Sequence, residues 1–164
     1  MIGGTHNKIL HVDLTTGESH IEQPPDNFYR LLVGGRAVVA YLLLRDLPPH
    51  TDPLSPDNLL IFAPGIMQGT NLPGAGRHGV GGKSPLTGAI GSSEAGGWWG
   101  HEFKRAGFDA LVIRGRAKSP AYLWIKDGKL VRKTSRAFSR ARSRISNAPA
   151  ASQFWRVVRS AVCG

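Results

Sequence analysis

A glycine-rich stretch between Gly65 and Gly107 constrains this chain more than any other feature. It holds 13 of the 21 glycines in the 164-residue sequence. Glycine adopts positive φ and lets other groups approach the backbone closely, so this density outside a periodic repeat needs an explanation. A flexible linker is one. However, the stretch ends in Trp98, Trp99 and Phe103, and large aromatic side chains favour burial. We therefore interpret it as tight loops whose exposed amides bind a polyanionic or polar ligand.

Length, composition and cysteine content restrict the class of protein. With 164 residues, 41% of them hydrophobic, the chain is sufficient for one soluble globular domain. No apolar run approaches the roughly 18 residues that span a bilayer, and the N-terminus lacks the apolar core of a secretory signal. Cys163 is the only cysteine, which excludes an internal disulfide and a multi-thiolate metal site within the chain. We expect a cytoplasmic protein with no membrane partner.

The net charge of +10 is unevenly distributed along the sequence. Residues 1–134 contain 15 basic and 11 acidic residues, whereas residues 135–164 contain six arginines and no acidic residue. Most of the basicity therefore belongs to the C-terminal segment, which argues against nucleic-acid binding by the domain itself. We divide the chain into a domain over residues 1–133 and a basic tail rich in Ser, Arg and Ala over residues 134–164. The tail is expected to be disordered or to be translated out of frame.

The spacing of apolar residues predicts an α+β fold with a mainly antiparallel sheet and a few packed helices. The predicted strands are 8–14, 18–22, 58–63, 77–83, 88–92, 109–114, 121–125 and 129–132. The predicted helices are a short one capped by Asp26 and ended by Gly34-Gly35, one over 36–47, and one over 97–106 with Gly107 at its C-cap position. Strands outnumber helices and do not alternate strictly with them, which favours this class over a doubly wound parallel sheet.

Nucleotide-binding and zinc-binding motifs are absent from the sequence. The segment from Gly74 to His78 lacks the third glycine of a dinucleotide-binding loop. Gly82-Lys83-Ser84 resembles the end of a P-loop, but Arg77 stands where the first glycine of that motif is required. The six histidines show no zinc-ligand spacing.

Two other features allow a structural and a functional interpretation. Residues 92–97 (SSEAGG) are interpreted as an N-capping region for the helix that follows, and the same free amides could instead face a ligand. Arg36, directly after Gly34-Gly35, is either a solvated arginine in a turn between helices or a cation suited to phosphate.

Several consecutive segments match the sequence motifs of one enzyme family, in the same order. They include GGRAVVAYLLL, DPLSPDNLLIFAPG, GKSPLTGAIG and GGWWGHEFKRAGFDALVIRG. Over about residues 4–133 the chain resembles the N-terminal domain of the tungsten-dependent aldehyde ferredoxin oxidoreductase family. The KSPLTG element and the element that begins with two glycines and an aromatic residue are the most specific parts of the resemblance.

The resemblance implies a domain that binds a bis-molybdopterin cofactor carrying tungsten or molybdenum, together with Mg²⁺. In the family, an arginine that follows a glycine-containing element contacts the pterin phosphates, and Arg77 occupies that position. Residues around a Gly-Gly pair lie against the pterin and its magnesium, and they correspond to Glu94, Ala95, Gly96 and Gly97. Glu94 replaces the usual asparagine, and its carboxylate suits Mg²⁺. Glu94 is therefore the expected metal ligand, and no catalytic residue is expected in this chain.

The resemblance also implies an activity, namely electron transfer from an aldehyde, which becomes a carboxylate, through a [4Fe–4S] cluster to ferredoxin. The cluster uses cysteines of later domains in the family, and those ligands are absent here. Our hypothesis is that the chain is the cofactor-binding N-terminal portion of such an oxidoreductase, truncated and inactive alone. Its partners would be ferredoxin and an aldehyde, with a homodimer left open. The alternative is a non-enzymatic remnant or binding module whose basic tail contacts nucleic acid or acidic surfaces.

Overall fold

The structure of the chain, a computed structural model, describes residues 4–25 and 27–134. In chain order its helices and strands are β1 (Ile9–Asp13), β2 (Ser19–Glu22), α1 (Phe28–Leu32), α2 (Gly35–Asp46), β3 (Leu60–Pro64), β4 (His78–Lys83), β5 (Ile90–Ala95), α3 (Trp99–Arg105), β6 (Ala110–Arg114), β7 (Ala121–Lys126) and β8 (Lys129–Thr134).

Six of these strands form one twisted sheet in the order β2-β1-β6-β3-β4-β5. Its neighbouring strands are antiparallel, except that β1 runs parallel to β6 with Ile9 opposite Ala110. Strands β7 and β8 form a separate hairpin. The predicted α+β class with a mainly antiparallel sheet is confirmed.

The sheet is the middle of three layers, because both of its faces carry apolar side chains. Helices α1 and α2 cover one face, where Val38, Val39, Leu42 and Leu43 of α2 are buried. Helix α3 and the β7–β8 hairpin cover the other face, which they share with Leu10, Val12, Leu111 and Ile113 of β1 and β6. Successive residues of a strand point to opposite faces, so Ile9 joins the α2 side and Leu10 the α3 side.

Turn chemistry explains the two hairpins, β1–β2 and β7–β8. Asp127 and Gly128 have φ of 49° and 73°, which is the type I′ geometry that joins two antiparallel strands in two residues. In the β1–β2 turn, a carboxylate oxygen of Asp13 accepts the backbone N–H groups of Thr15 and Thr16. The turn residues Thr15-Thr16-Gly17 and Asp127-Gly128 predict both hairpins from the sequence, and both strand pairs are confirmed as antiparallel.

A charged cluster fastens the β1–β2 hairpin to the C-terminal end of α2. The two carboxylate oxygens of Glu22 accept hydrogen bonds of 2.5 and 2.8 Å from Arg45, which also pairs with Asp46. Glu22 additionally lies 2.7 Å from Nε2 of His11. The hydrogen bonds from Arg45 lower the pKa of Glu22 below its ordinary value.

A buried ion pair fastens the N-terminal segment to α3. The Nζ of Lys104 donates to a carboxylate oxygen of Asp109 and to the backbone carbonyl of Gly4, while the other oxygen of Asp109 accepts the N–H groups of His6 and Lys8. Both side chains are almost fully buried, at 5% and 1% exposure. This carboxylate therefore has a hydrogen-bond partner on each oxygen, as a buried charge requires.

One prediction about helix ends is corrected, and another falls on a residue outside the described part of the chain. Gly34-Gly35 does not end α1, which stops at Leu32 with Val33 in the left-handed region; Gly34 instead precedes α2 and Gly35 is its first residue. The predicted cap Asp26 lies outside the described residues, and Asn27 at the N-cap position makes no side-chain capping bond.

The prediction that residues 92–97 cap the third helix is wrong for the first four of them. Residues 92–95 belong to β5 and pair with β4, and α3 begins only at Trp99, with Trp98 at its N-cap position. Residues 92–95 each pair with a β4 residue, so their backbone groups are used by the sheet. They are therefore not part of a cap for α3, which begins at Trp99. Gly107 has a φ of +93° directly after Ala106, the C-cap residue, so the helix ends within one residue of the position predicted for its C-cap.

Most of the predicted basic tail, residues 135–164, lies outside the described part of the chain. Among the helices that are described, none combines the length and apolar character needed to cross a membrane.

Candidate functional site

The residues selected from the sequence meet at one end of the main sheet. Strands β4 and β5 are antiparallel, with His78 at the start of β4 opposite Ala95 at the end of β5. Arg77, just before β4, and Gly96, just after β5, therefore lie side by side at this end. Arg77 and the segment from Glu94 to Gly97 are all exposed to solvent.

Backbone contacts bring the start of α2 to the same place. The N–H of Gly65, directly after β3, donates to the carbonyl of Arg77 over 3.1 Å, and Gly34 forms an isolated β-bridge with Gly65. A Cβ at Gly34 would lie 2.7 Å from the carbonyl oxygen of Pro64. Only glycine allows this approach, so Gly34 is required by packing, whereas a Cβ at Gly35 would meet no atom within 4 Å.

Gly79 lets α2 rest directly on β4. A Cβ at Gly79 would lie 3.1 Å from the backbone nitrogen of Arg36, the second residue of α2. Gly79 is paired with Glu94, so the Glu94 side chain emerges on the face of the sheet that α2 covers. There its Oε1 lies 3.7 Å from Nε of Arg36, and the two side chains are 40% and 63% exposed.

The loop after β5 is held against the loop before β4. A Cβ at Gly96 would be 3.6 Å from the carbonyl oxygen of Gly76, an ordinary contact distance. Gly97 follows with a φ of +84°. The backbone of this loop is thus close to Gly76 and open to solvent on its other side.

Aromatic side chains lie behind this loop on the α3 face. The ring of Trp99 stacks on Phe103 at 4.9 Å and lies 4.8 Å from the ring of His78. His78 is buried, and its Nδ1 has no hydrogen-bond partner. Burial lowers the pKa of His78, so the ring is neutral at physiological pH. Trp98, by contrast, is 70% exposed.

His101 links α3 to the loop between β3 and β4, a role that the sequence does not predict. Its Nδ1 accepts the N–H of Gly69 over 3.0 Å, which requires the proton of the neutral ring to be on Nε2. A Cβ at Gly76 would lie 3.7 Å from that Nε2. His101 therefore connects α3 to two points of the single loop between β3 and β4, at Gly69 and beside Gly76. No spacing signal could have identified it, because its partner is a backbone group 32 residues away.

The donor set at this end of the sheet suits a phosphorylated ligand with a hard cation. Arg36 and Arg77 supply guanidinium groups, which pair with phosphate in a bidentate manner. Glu94 supplies a carboxylate, a preferred Mg²⁺ ligand. Within the described ranges, no group of three or more His, Cys, Asp or Glu side chains is placed to hold a metal ion. A cation at Glu94 would therefore take its other ligands from phosphate oxygens and water, as Mg²⁺ commonly does.

Comparison with known proteins gives a family match and similar sequences. The model of the family described as aldehyde ferredoxin oxidoreductase, N-terminal domain, matches residues 9–147. The chain is similar to the tungsten-containing aldehyde ferredoxin oxidoreductases of Pyrococcus furiosus and Thermococcus kodakarensis, with 43% and 42% identity over 124 residues. Each alignment covers 76% of this chain and 20% of the relative. The chain thus spans about a fifth of the length of these curated relatives.

A solved structure has a similar fold. It is the active site complex BamBC of benzoyl coenzyme A reductase in complex with 1,5-dienoyl-CoA, with a TM-score of 0.81 and 32% sequence identity. The similarity covers 89% of this chain and 23% of that one. The family match ends at residue 147, beyond residue 133 where the sequence composition predicts that the domain ends.

Proposed function

This chain belongs to the aldehyde ferredoxin oxidoreductase family, whose N-terminal domain it carries, and from that membership we propose that it is the cofactor-binding part of a tungsten-dependent oxidoreductase. The names of its relatives support tungsten as the metal. The observation that carries the proposal is the meeting of Arg77 with the segment from Glu94 to Gly97 at one end of the sheet. A cofactor site needs these groups to be close together and accessible.

The residues present fit a bis-molybdopterin cofactor with Mg²⁺. The Arg77 guanidinium would pair with a pterin phosphate, and the Glu94 carboxylate would be a ligand of the accompanying Mg²⁺. Ala95, Gly96 and Gly97 present an exposed backbone with little side-chain bulk, which allows a flat ligand to lie close to it. The cofactor's own dithiolene sulfurs would hold the tungsten, so this domain would need no cysteine for it, and the cofactor would supply the redox chemistry when bound.

The intact enzyme would convert an aldehyde and water to a carboxylate, releasing two electrons and three protons. A [4Fe–4S] cluster would pass the electrons to ferredoxin. Such a cluster requires four cysteine ligands, and the chain contains one cysteine. We therefore propose that the chain alone binds the cofactor but does not complete the reaction. We also propose a cytoplasmic location.

Cofactor retention is the direct test of this proposal. The full chain is produced in a tungsten-supplied host that makes the pterin, and tungsten is measured by mass spectrometry and pterin by its fluorescence after oxidation. Arg77→Gln should lower the pterin bound per protein by about tenfold, because a charge-assisted phosphate contact is lost. Arg30→Gln removes an exposed arginine of α1 and should leave retention unchanged. A wild-type chain that carries neither tungsten nor pterin would overturn the proposal.

The expected lack of independent activity is tested separately. The purified full chain is incubated with an aldehyde and an oxidised viologen dye, and reduction of the dye is followed by absorbance. No aldehyde-dependent reduction is expected. Measurable reduction would show that the chain is active alone and that electrons leave by a route other than the missing cluster.

A further inference from the structure

The Arg36–Glu94 ion pair joins the helix layer to the strand that ends in the proposed cofactor loop. Arg36 lies in the first turn of α2 and Glu94 is the penultimate residue of β5, and their side chains approach to 3.7 Å. These residues are 58 positions apart in the sequence. Their proximity follows from the packing of α2 on Gly79, the residue paired with Glu94.

We propose that Arg36 is an exchangeable counterion of the cofactor site. It neutralises Glu94 while the site holds no divalent cation. When Mg²⁺ binds the Glu94 carboxylate, the Arg36 guanidinium moves to the phosphate oxygens of the ligand. Arg36 is thus a phosphate-binding residue whose availability depends on Mg²⁺. This inference rests on the proposed function, since it concerns the same site.

The ion pair has the properties of an interaction that exchanges easily. A separation of 3.7 Å is longer than the 2.7–2.9 Å typical of a strong charge-assisted hydrogen bond. Both side chains are substantially exposed, and exposed ion pairs contribute little to stability. A carboxylate on Mg²⁺ and a guanidinium on phosphate are both stronger interactions, so the exchange is favourable once ligand and cation are present together.

The backbone of Arg36 is fixed while its side chain remains free to move. Its backbone nitrogen packs on Gly79, and the preceding Gly34 is bridged to Gly65, whose N–H is bonded to the carbonyl of Arg77. The start of α2 is therefore held at the end of the sheet where Arg77 lies. The Arg36 side chain, 63% exposed, can leave Glu94 without any change in the packing of α2.

The charges at the site explain why the cation matters. Without a divalent cation, the carboxylate of Glu94 both repels a phosphate and competes with it for Arg36. Mg²⁺ removes both effects, because it takes the carboxylate and adds positive charge of its own. A diphosphate should therefore bind in a Mg²⁺-dependent manner, and the dependence should reside in Glu94.

Inorganic pyrophosphate is a suitable probe, since it reproduces the phosphate part of the ligand without the pterin. Its dissociation constant for the full chain is measured by calorimetry with MgCl₂ or with EDTA, at matched ionic strength. Mg²⁺ should tighten binding to the wild type by about tenfold. Glu94→Gln should bind more tightly than the wild type in EDTA and should lose most of the Mg²⁺ effect. Arg36→Gln should weaken binding in MgCl₂ by about tenfold.

Arg105→Gln is the matched control, because Arg105 forms another exposed ion pair with a glutamate, Glu102, on α3. It should bind pyrophosphate as the wild type does. The inference is wrong if Arg36→Gln behaves like Arg105→Gln, if Glu94→Gln keeps the Mg²⁺ effect, or if the wild type does not bind pyrophosphate. If the chain retains tungsten and pterin in any of these cases, the proposed function stands without the exchange. If it retains neither, both fail.

Discussion

His78 is a buried histidine whose nitrogen Nδ1 lacks a partner, and this makes it a source of acid sensitivity. Its folded pKa is lowered by burial, whereas in the unfolded chain it takes up a proton near the ordinary value of about 6.5. Below that pH the unfolded state binds more protons than the folded state. The stabilisation is therefore complete above about pH 6.5 and is lost as the pH falls toward and through the folded pKa.

We predict that His78→Phe makes the unfolding free energy less dependent on pH. Phenylalanine keeps an aromatic ring beside Trp99 and removes the titration. Between about pH 7.5 and 5 the wild type should lose up to about 1.4 kcal/mol per pH unit from this histidine, and the variant should lose correspondingly less. Urea unfolding at several pH values measures the slope. His50→Asn, which removes an exposed histidine, should keep the wild-type slope, and an identical slope in His78→Phe would contradict the prediction.

The buried pair Lys104–Asp109 gives a second prediction at the residue scale. Lys104→Met leaves the Asp109 carboxylate buried without its cation and should lower the unfolding free energy by about 3–5 kcal/mol. The double variant Lys104→Met/Asp109→Asn removes both charges, so its unfolding free energy should fall by less than that of Lys104→Met. Urea unfolding measures all variants, with Arg105→Gln as an exposed-pair control that should cost about 1 kcal/mol or less. A loss from Lys104→Met as small as that of the control would show that the pair is not structurally important.

At the scale of single elements, contact between α2 and β4 depends on glycine. We predict that Gly79→Ala lowers the unfolding free energy by about 1–3 kcal/mol, because its Cβ would press on the backbone nitrogen of Arg36 and the helix would have to shift. Mg²⁺-dependent pyrophosphate binding should weaken with it. Gly76→Ala is the matched control, since its Cβ would meet no atom closer than 3.7 Å. Equal stability of the two variants would show that α2 does not rest on Gly79 as closely as 3.1 Å implies.

Elements determined by neighbouring residues were predictable from the sequence. The β7–β8 hairpin follows from Asp127-Gly128, and the buried strand β6 from a continuous apolar run. The end of β5 was not predictable, because Ser, Glu and Gly suit both a helix cap and an exposed edge strand. Pairing with β4, about 15 residues earlier in the chain, decides between them. The same limit applies to the Arg36–Glu94 contact, because only tertiary packing brings together two residues 58 positions apart.

At the scale of the whole molecule, the sheet has apolar faces and carries the residues of the proposed site at one end. Packing on both faces is apolar and closed, while the end formed by Arg77, Glu94 and the start of α2 is polar and exposed. That division is what a cofactor-binding domain requires, since the core fixes the loops and the loops carry the charges. The family resemblance assigns Arg77 and residues 94–97 to one ligand, and the structure places them at the same end of the sheet; that assignment does not include the start of α2. It does not predict the ion pair between Arg36 of α2 and Glu94 of β5, which depends on tertiary packing.

The alternative function, binding of nucleic acid through the basic tail, also belongs to this scale. The six arginines of residues 135–164 should give the chain weak DNA affinity that falls steeply with salt, because phosphate binding releases counterions. We predict that replacing all six with glutamine in the full chain abolishes this binding, since residues 1–134 have 15 basic against 11 acidic residues. Fluorescence anisotropy of a labelled duplex measures it at several salt concentrations. For the wild type, the slope of log binding constant against log salt concentration should not exceed roughly 0.9 in magnitude per arginine of the tail. Salt-dependent binding that survives the replacement would place a nucleic-acid surface on the domain itself and favour the binding-module interpretation over the enzyme.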